Sequence, residues 1–119
     1  MGLKIKGRLK SNEREYIFET FGDIKDNIIT FNDGDILVKL DLNDNKMIRK
    51  TLDYELNFIF LKDQKTNNSL FLKDINQVID MNLYTIDIIN QEGYFYVNYE
   101  LNNEELFFFE IRYEGEKNE

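Results

Sequence analysis

Apolar and polar residues alternate along most of this 119-residue chain. A period of two marks a strand with one face in a core and the other in water. Leu3, Ile5 and Leu9 fall on one side of the first segment, and Lys4, Lys6, Arg8 and Lys10 on the other. Ser11-Asn12-Glu13 reads as a turn. Tyr16 to Phe21 reads as a second strand ending at Gly22-Asp23, and Asn27 to Phe31 as a third. Asn32-Asp33-Gly34-Asp35 sets Asp-Gly between two apolar runs, the strongest short-range hairpin signal. Ile36, Val38, Leu40 and Leu42 then share a face, and Asn43-Asp44-Asn45 turns the chain again. Met47 to Leu52 and Tyr54 to Leu61 follow as strands, then a polar loop over Lys62 to Asn68. Leu70 to Ile75 is short and Val78 to Ile89 long. Tyr94 to Leu101 and Leu106 to Tyr113 close the series, with hairpin turns at Asn90-Gln91-Glu92-Gly93 and Asn102-Asn103-Glu104-Glu105. One stretch, Asp74 to Met81, carries Ile75, Val78 and Ile79 at helical spacing and allows a short helical turn.

Eight or more short strands joined in hairpin order predict an all-β fold, an antiparallel up-and-down β-barrel. Closure removes the edges that so many β-branched and aromatic residues would otherwise expose. Residues 1–114 are expected to form one barrel domain, with a polar C-terminal tail at 115–119. Phe95, Val97, Tyr99 and Leu101 share one face, as do Phe107, Phe109, Ile111 and Tyr113; Asn98, Glu100, Glu110 and Arg112 lie opposite. So aromatic an inner face either packs solid or lines an apolar cavity, and the pattern allows both.

Composition narrows the chemistry. The chain has no Cys and no His, which removes disulfides, thiolate nucleophiles, thiolate zinc sites and the Ser-His-Asp triad. Ser11 and Ser69 therefore have no base to activate them. Twenty-three acidic against 15 basic residues give a formal charge of −8, which disfavours nucleic acid and anionic membranes as partners. No opening apolar run is long enough for a signal peptide or a membrane span, so the expected compartment is the cytoplasm.

Four constellations stand out. Asp41-Leu42-Asn43-Asp44-Asn45 echoes the start of a calcium loop, but Lys46 replaces its glycine and Leu52 its bidentate glutamate, so it reads as a hairpin turn and no metal site is assigned. The row Lys4, Lys6, Arg8 and Lys10 reads as an outward face, lysine-rich to discourage edge pairing. Arg49 and Lys50 point to opposite faces, so one cation turns inward and needs a partner, with Asp80, Asp87 or Glu19 as candidates. Such an arginine reads first as half of a structural pair at a barrel end, and otherwise could anchor an acidic ligand. Asp80, Asn82, Tyr84, Thr85 and Asp87 make one long strand unusually polar. The sequence assigns no catalytic residue and no cofactor. Arg49, Tyr84, Tyr99 and Phe109 are the candidate ligand-binding residues.

Several short strings taken in order carry a resemblance. They are Glu19-Thr20-Phe21-Gly22, Met47-Ile48-Arg49-Lys50, Phe58-Ile59-Phe60, Leu83-Tyr84-Thr85 and Tyr99-Glu100-Leu101. Their order resembles the YwiB-like family of uncharacterised bacterial proteins, a domain of unknown function. The resemblance implies a calycin-type, lipocalin-like barrel in a cytoplasmic bacterial protein, and it brings no established site residues. Thr51 departs from the family pattern, where a glycine commonly follows the Arg-Lys step. Phe71 to Ile79 also lacks the expected tyrosine and glycine.

Three functions remain. One is a binding module for a small apolar or amphipathic ligand held in the barrel, marked by a cavity along the Phe95 and Phe107 faces. Another is a filled barrel acting as a protein-interaction or scaffold module, with Tyr94 and Tyr96 on its outer face. The third, an enzyme, requires clustered carboxylates of displaced pKa. Monomer and homodimer are both compatible with the sequence.

Overall fold

The computed structural model describes residues 2–115, which form ten strands and, among the described residues, no helix. They are β1 (Gly2–Lys10), β2 (Glu15–Lys25), β3 (Ile28–Asp33), β4 (Ile36–Asp41), β5 (Lys46–Lys50), β6 (Tyr54–Ile59), β7 (Lys65–Leu72), β8 (Gln77–Gln91), β9 (Tyr94–Leu101) and β10 (Glu105–Gly115). Each strand pairs antiparallel with the next, and β10 returns to pair β1, closing the barrel that the alternation predicts. Gly115 still lies opposite Leu3 in that ladder, so the expected tail begins one residue later, at 116–119, outside the described residues.

Two segments differ from expectation. Asp74 to Met81 holds no helical turn: Asn76, at a φ of 50°, completes a tight turn and Gln77 opens β8. Ile79 pairs with Leu70 and Met81 with Asn68, so the ladder to β7 overrides the local spacing. The presumed loop Lys62 to Asn68 becomes strand from Lys65. Its polar side chains supply what the β6–β7 ladder lacks beyond Ser69. The Thr66 hydroxyl donates to the Ile59 carbonyl at 2.7 Å, and Asn68 Oδ1 accepts the Ile59 amide.

The inward rows fill the barrel. Ile5, Ile29, Val38, Leu40, Phe60, Leu83, Phe95, Val97, Phe109 and Ile111 have no surface that water can reach, interior space included. The Tyr99 ring stacks on Phe107 at 5.4 Å and meets Phe58 and Phe60 at 5.8 and 5.3 Å. Sixteen apolar side chains form one continuous buried cluster, enough for the barrel to stand without disulfides or metal.

Gly22 shapes one side. A Cβ there would sit 2.4 Å from the Thr30 carbonyl oxygen, so only glycine lets β2 lie this close to β3. The β2–β3 ladder covers just Gly22–Lys25 against Phe31–Ile28. Before Gly22, β2 pairs with β1 alone.

Candidate functional site: the far mouth of the barrel

The barrel has two mouths. At the near end, where the chain enters and leaves, asparagines bind the turns together. Asn90 Nδ2 donates to the Leu42 carbonyl at 2.8 Å and to Asn45 Oδ1 at 2.9 Å, and Asn43 Nδ2 donates to the Asp26 carbonyl at 2.9 Å. The Asp41 carboxylate caps its own turn by accepting from the Asn43 amide at 2.9 Å. A half-open depression of about 690 Å³ lies here, between Leu3, Ile24, Leu42 and Tyr113, with Glu92 and Glu114 on its rim and, among the described residues, no cation.

Inward polar side chains gather at the opposite, far end. Three inward rows there end in polar side chains, and a fourth carries one a step before its end. Tyr16 of β2 sits opposite Leu9, Asp33 of β3 opposite Ile36, Arg49 of β5 between Val38 and Leu56, and Tyr99 of β9 between Phe107 and Thr85. Around them Leu9, Ile36, Leu56, Met81, Leu101 and Phe107 are half-buried, and Ile79 is exposed. The rim is thus apolar and partly wet, while the floor is the dry core.

The Tyr16 hydroxyl donates to Asp33 Oδ1 at 2.8 Å. That bond, then the Asp33 charge, pushes the Tyr16 pKa up, and the Arg49 charge opposes it. Burial pushes the Tyr99 hydroxyl far above its ordinary range, again against Arg49. Arg49 turns inward on β5, opposite Val38 and Leu56, and its charge is felt by tyrosines on β2 and on β9. Among the described residues it makes neither an ion pair within 4.0 Å nor a side-chain hydrogen bond; Lys4, Lys10, Lys25, Lys39, Lys46 and Lys65 make none either, but from exposed outward positions, whereas Arg49 turns inward.

The partners expected for Arg49 are elsewhere, for reasons of parity. Glu19 points outward and lies 3.8 Å from Lys6. Asp80 sits on the outward row opposite Ser69. A bulge between Thr85 and Asp87 shifts the parity of β8, leaving Asp87 outside and 3.6 Å from Lys62. Thr85 alone of the polar run on β8 faces the core, with its hydroxyl unpaired beside Tyr99. Tyr84 pairs with Glu100 on the outer face and does not join the mouth. Phe109 is completely buried against Phe95.

Of the four candidates, the structure turns Arg49 and Tyr99 inward, leaves Tyr84 on the outer face and seals Phe109 in the core. Sequence reasoning missed Tyr16 and Asp33. Counting by twos from Phe31 does place Asp33 inward, but its neighbour Gly34 marked it as turn. Tyr94 and Tyr96 are half-buried: Tyr94 hydrogen-bonds Glu110 and carries Arg112 over its ring at 4.8 Å, and Tyr96 packs on Phe108 at 6.3 Å.

A filled ten-stranded antiparallel barrel is the class the fold defines. It is similar to the crystal structure of the YwiB protein from Bacillus subtilis, with a TM-score of 0.61 and 17% identity over 98% of this chain and 91% of that one. The fold is therefore YwiB-like. No family model matches the chain, and no curated protein matches it. No helix among the described residues is long and apolar enough to cross a membrane.

Proposed function

We propose that the protein is a binding barrel that takes an amphipathic anion, an apolar chain ending in a carboxylate or phosphate, at its far mouth. The observation that carries this reading is Arg49, a cation turned into an apolar mouth with no partner among the described residues. A guanidinium presents paired donors suited to a carboxylate or phosphate. The half-buried rim of Leu56, Met81, Leu101 and Phe107 offers the apolar chain a surface to cover. Tyr16 and Tyr99 add hydroxyls on either side. Because the middle is packed, the ligand seats in the mouth rather than deep in the barrel, unlike ligands of hollow lipocalin-type barrels. The asparagine-lined depression at the near end offers an anion no cation among its described lining residues.

The test is titration with decanoate, followed by tyrosine fluorescence, beside decanol as the uncharged control. The parent is expected to bind decanoate with about one equivalent. Arg49→Met is expected to weaken binding by about 10- to 100-fold, the worth of one charged hydrogen-bonded contact. Equal binding by parent and variant would refute the site.

A filled barrel that docks other proteins is the second reading. The observation favouring it is the uncovered half of β2.

A further inference from the structure

From Glu15 to Thr20, β2 has a ladder partner on one side only, because its pairing with β3 stops at Gly22↔Phe31. The short β3–β4 hairpin turns back at Gly34-Asp35, both exposed, so no described strand continues alongside β2 there. Thr20 bridges the corner through its hydroxyl, which donates to the Asn32 carbonyl at 3.0 Å. Beyond it lies a bare sheet edge about one strand long.

Such edges are ordinarily guarded by lysine, proline or a bulge. Glu15 to Phe21 contains none of these. The lysine row is one strand away on β1, which is paired on both sides by β2 and β10. That corrects the reading of this row as an edge guard. The edge itself shows Ile17 at 68% and Phe21 at 65% exposure, alternating with Glu15 and Glu19 on the outward face.

We infer that this edge of β2 takes up an extended segment of a partner protein, one with cations at its outward positions and apolar residues between them. The outward row of β2 sets the pattern, because cross-strand neighbours on one face need opposite charges. The fold already contains one solution: β1 lays Lys10, Arg8, Lys6 and Lys4 against Glu15, Ile17, Glu19 and Phe21. A strand on the other side of β2 meets the same row, where Glu15 has no ion pair among the described residues. The chain's −8 charge draws a basic segment in and repels a second copy of itself, which favours a basic partner over self-pairing as the occupant. Backbone hydrogen bonds supply the general affinity and the charge row the selectivity.

The probe is a capped peptide of about seven residues alternating lysine with valine, an ordinary strand length. It is compared with the same peptide carrying glutamate for lysine, on the full-length protein at low salt. The lysine peptide is expected to bind saturably and to slow amide exchange at Glu15–Thr20. The glutamate peptide is expected to bind at least about tenfold more weakly, and Glu15→Lys to weaken the lysine peptide by about 3- to 10-fold. Arg49→Met is expected to leave peptide binding unchanged, which separates this surface from the mouth. Failure of the lysine peptide to bind, equal binding of both peptides, or protection confined to other strands would overturn the inference.

Discussion

Strands β2 and β10 flank β1 on its two sides, and each is eleven residues long with alternating inward side chains. β10 is laddered to β9 over Glu105–Arg112 and to β1 over Phe108–Gly115, so its central residues are held on both sides. β2 is held on both sides only at Gly22 and Asp23 among the described pairings, and its first seven residues have β1 alone. The inward aromatics differ accordingly. Phe109 is completely buried, whereas Phe18 keeps a little exposure and Tyr16 is half out in solvent. Strand length and periodicity thus set which face is inward. The length of the neighbouring hairpin sets whether that face is sealed.

The largest test of this contrast truncates the two phenylalanines. Phe109→Ala leaves a hole that surrounding strands cannot fill and is expected to cost about 3–5 kcal/mol, a large share of a typical 5–15 kcal/mol total. Phe18→Ala opens its space toward an unsealed edge and is expected to cost clearly less. Urea denaturation of both variants measures the difference. Equal losses would mean that the β2 edge is as tightly packed as β10.

Two glycines give a smaller version of the same test. An added Cβ at Gly22 meets the Thr30 carbonyl oxygen, part of a ladder that cannot give way. Gly22→Ala is therefore expected to cost about 1–3 kcal/mol, as overpacking usually does. At Gly7 the Cβ meets the Phe18 ring at 2.1 Å, but that ring can swing toward the open side of β2. Gly7→Ala is expected to be the milder of the two in thermal denaturation.

The tyrosines extend the contrast to pH. Burial, then the hydrogen bond to Glu110 of β10, pushes Tyr94 up to about 12. Tyr16, at the open edge, is raised chiefly by its bond to Asp33. An unfolded tyrosine loses its proton near 10.0. The folded state thus holds protons that the unfolded state has released, and stability present below pH 10 is lost as pH rises toward about 12. With no histidine in the chain, melting temperature is expected to stay level from about pH 6 to 9 before this fall. Tyr94→Phe is expected to shallow the fall. A slope unchanged in that variant would show that Tyr94 titrates alike in both states.

These contrasts mark what the sequence could carry. Period-two alternation was enough for most strands and for the inward rows of β9 and β10, because each depends on local parity, and the hairpin turns between them then implied the order and the closure. The failures share a cause in pairing between distant segments. Thr66 and Asn68 looked like loop because their polarity serves β6, and Ile75, Val78 and Ile79 looked helical because β7 was not yet beside them. The bulge at Thr85/Asp87 reversed the parity that Asp87 needed to meet Arg49. Arg49 could be read as an inward cation, but Tyr16 and Asp33 reach it from strands more than 15 residues earlier in the chain, through closure rather than periodicity.

The smallest expected effect is on stability at Arg49, and it is informative because it is small. A cation held in a partly dry mouth without a partner gains nothing to offset its lost hydration. Removing it should therefore leave the fold as stable as before or slightly more so. Arg49→Met keeps the stem and replaces the charged head with an apolar one that suits Leu56 and Val38 on either side. Its unfolding free energy is expected to stay within about 1 kcal/mol of the parent or to rise. A marked loss would mean that Arg49 is structural, joined to Asp33 and Tyr16 in solution, and the mouth would then have no cation to spare for an anion. An unchanged or gained stability, together with lost decanoate binding, is the pattern of a residue kept for its ligand.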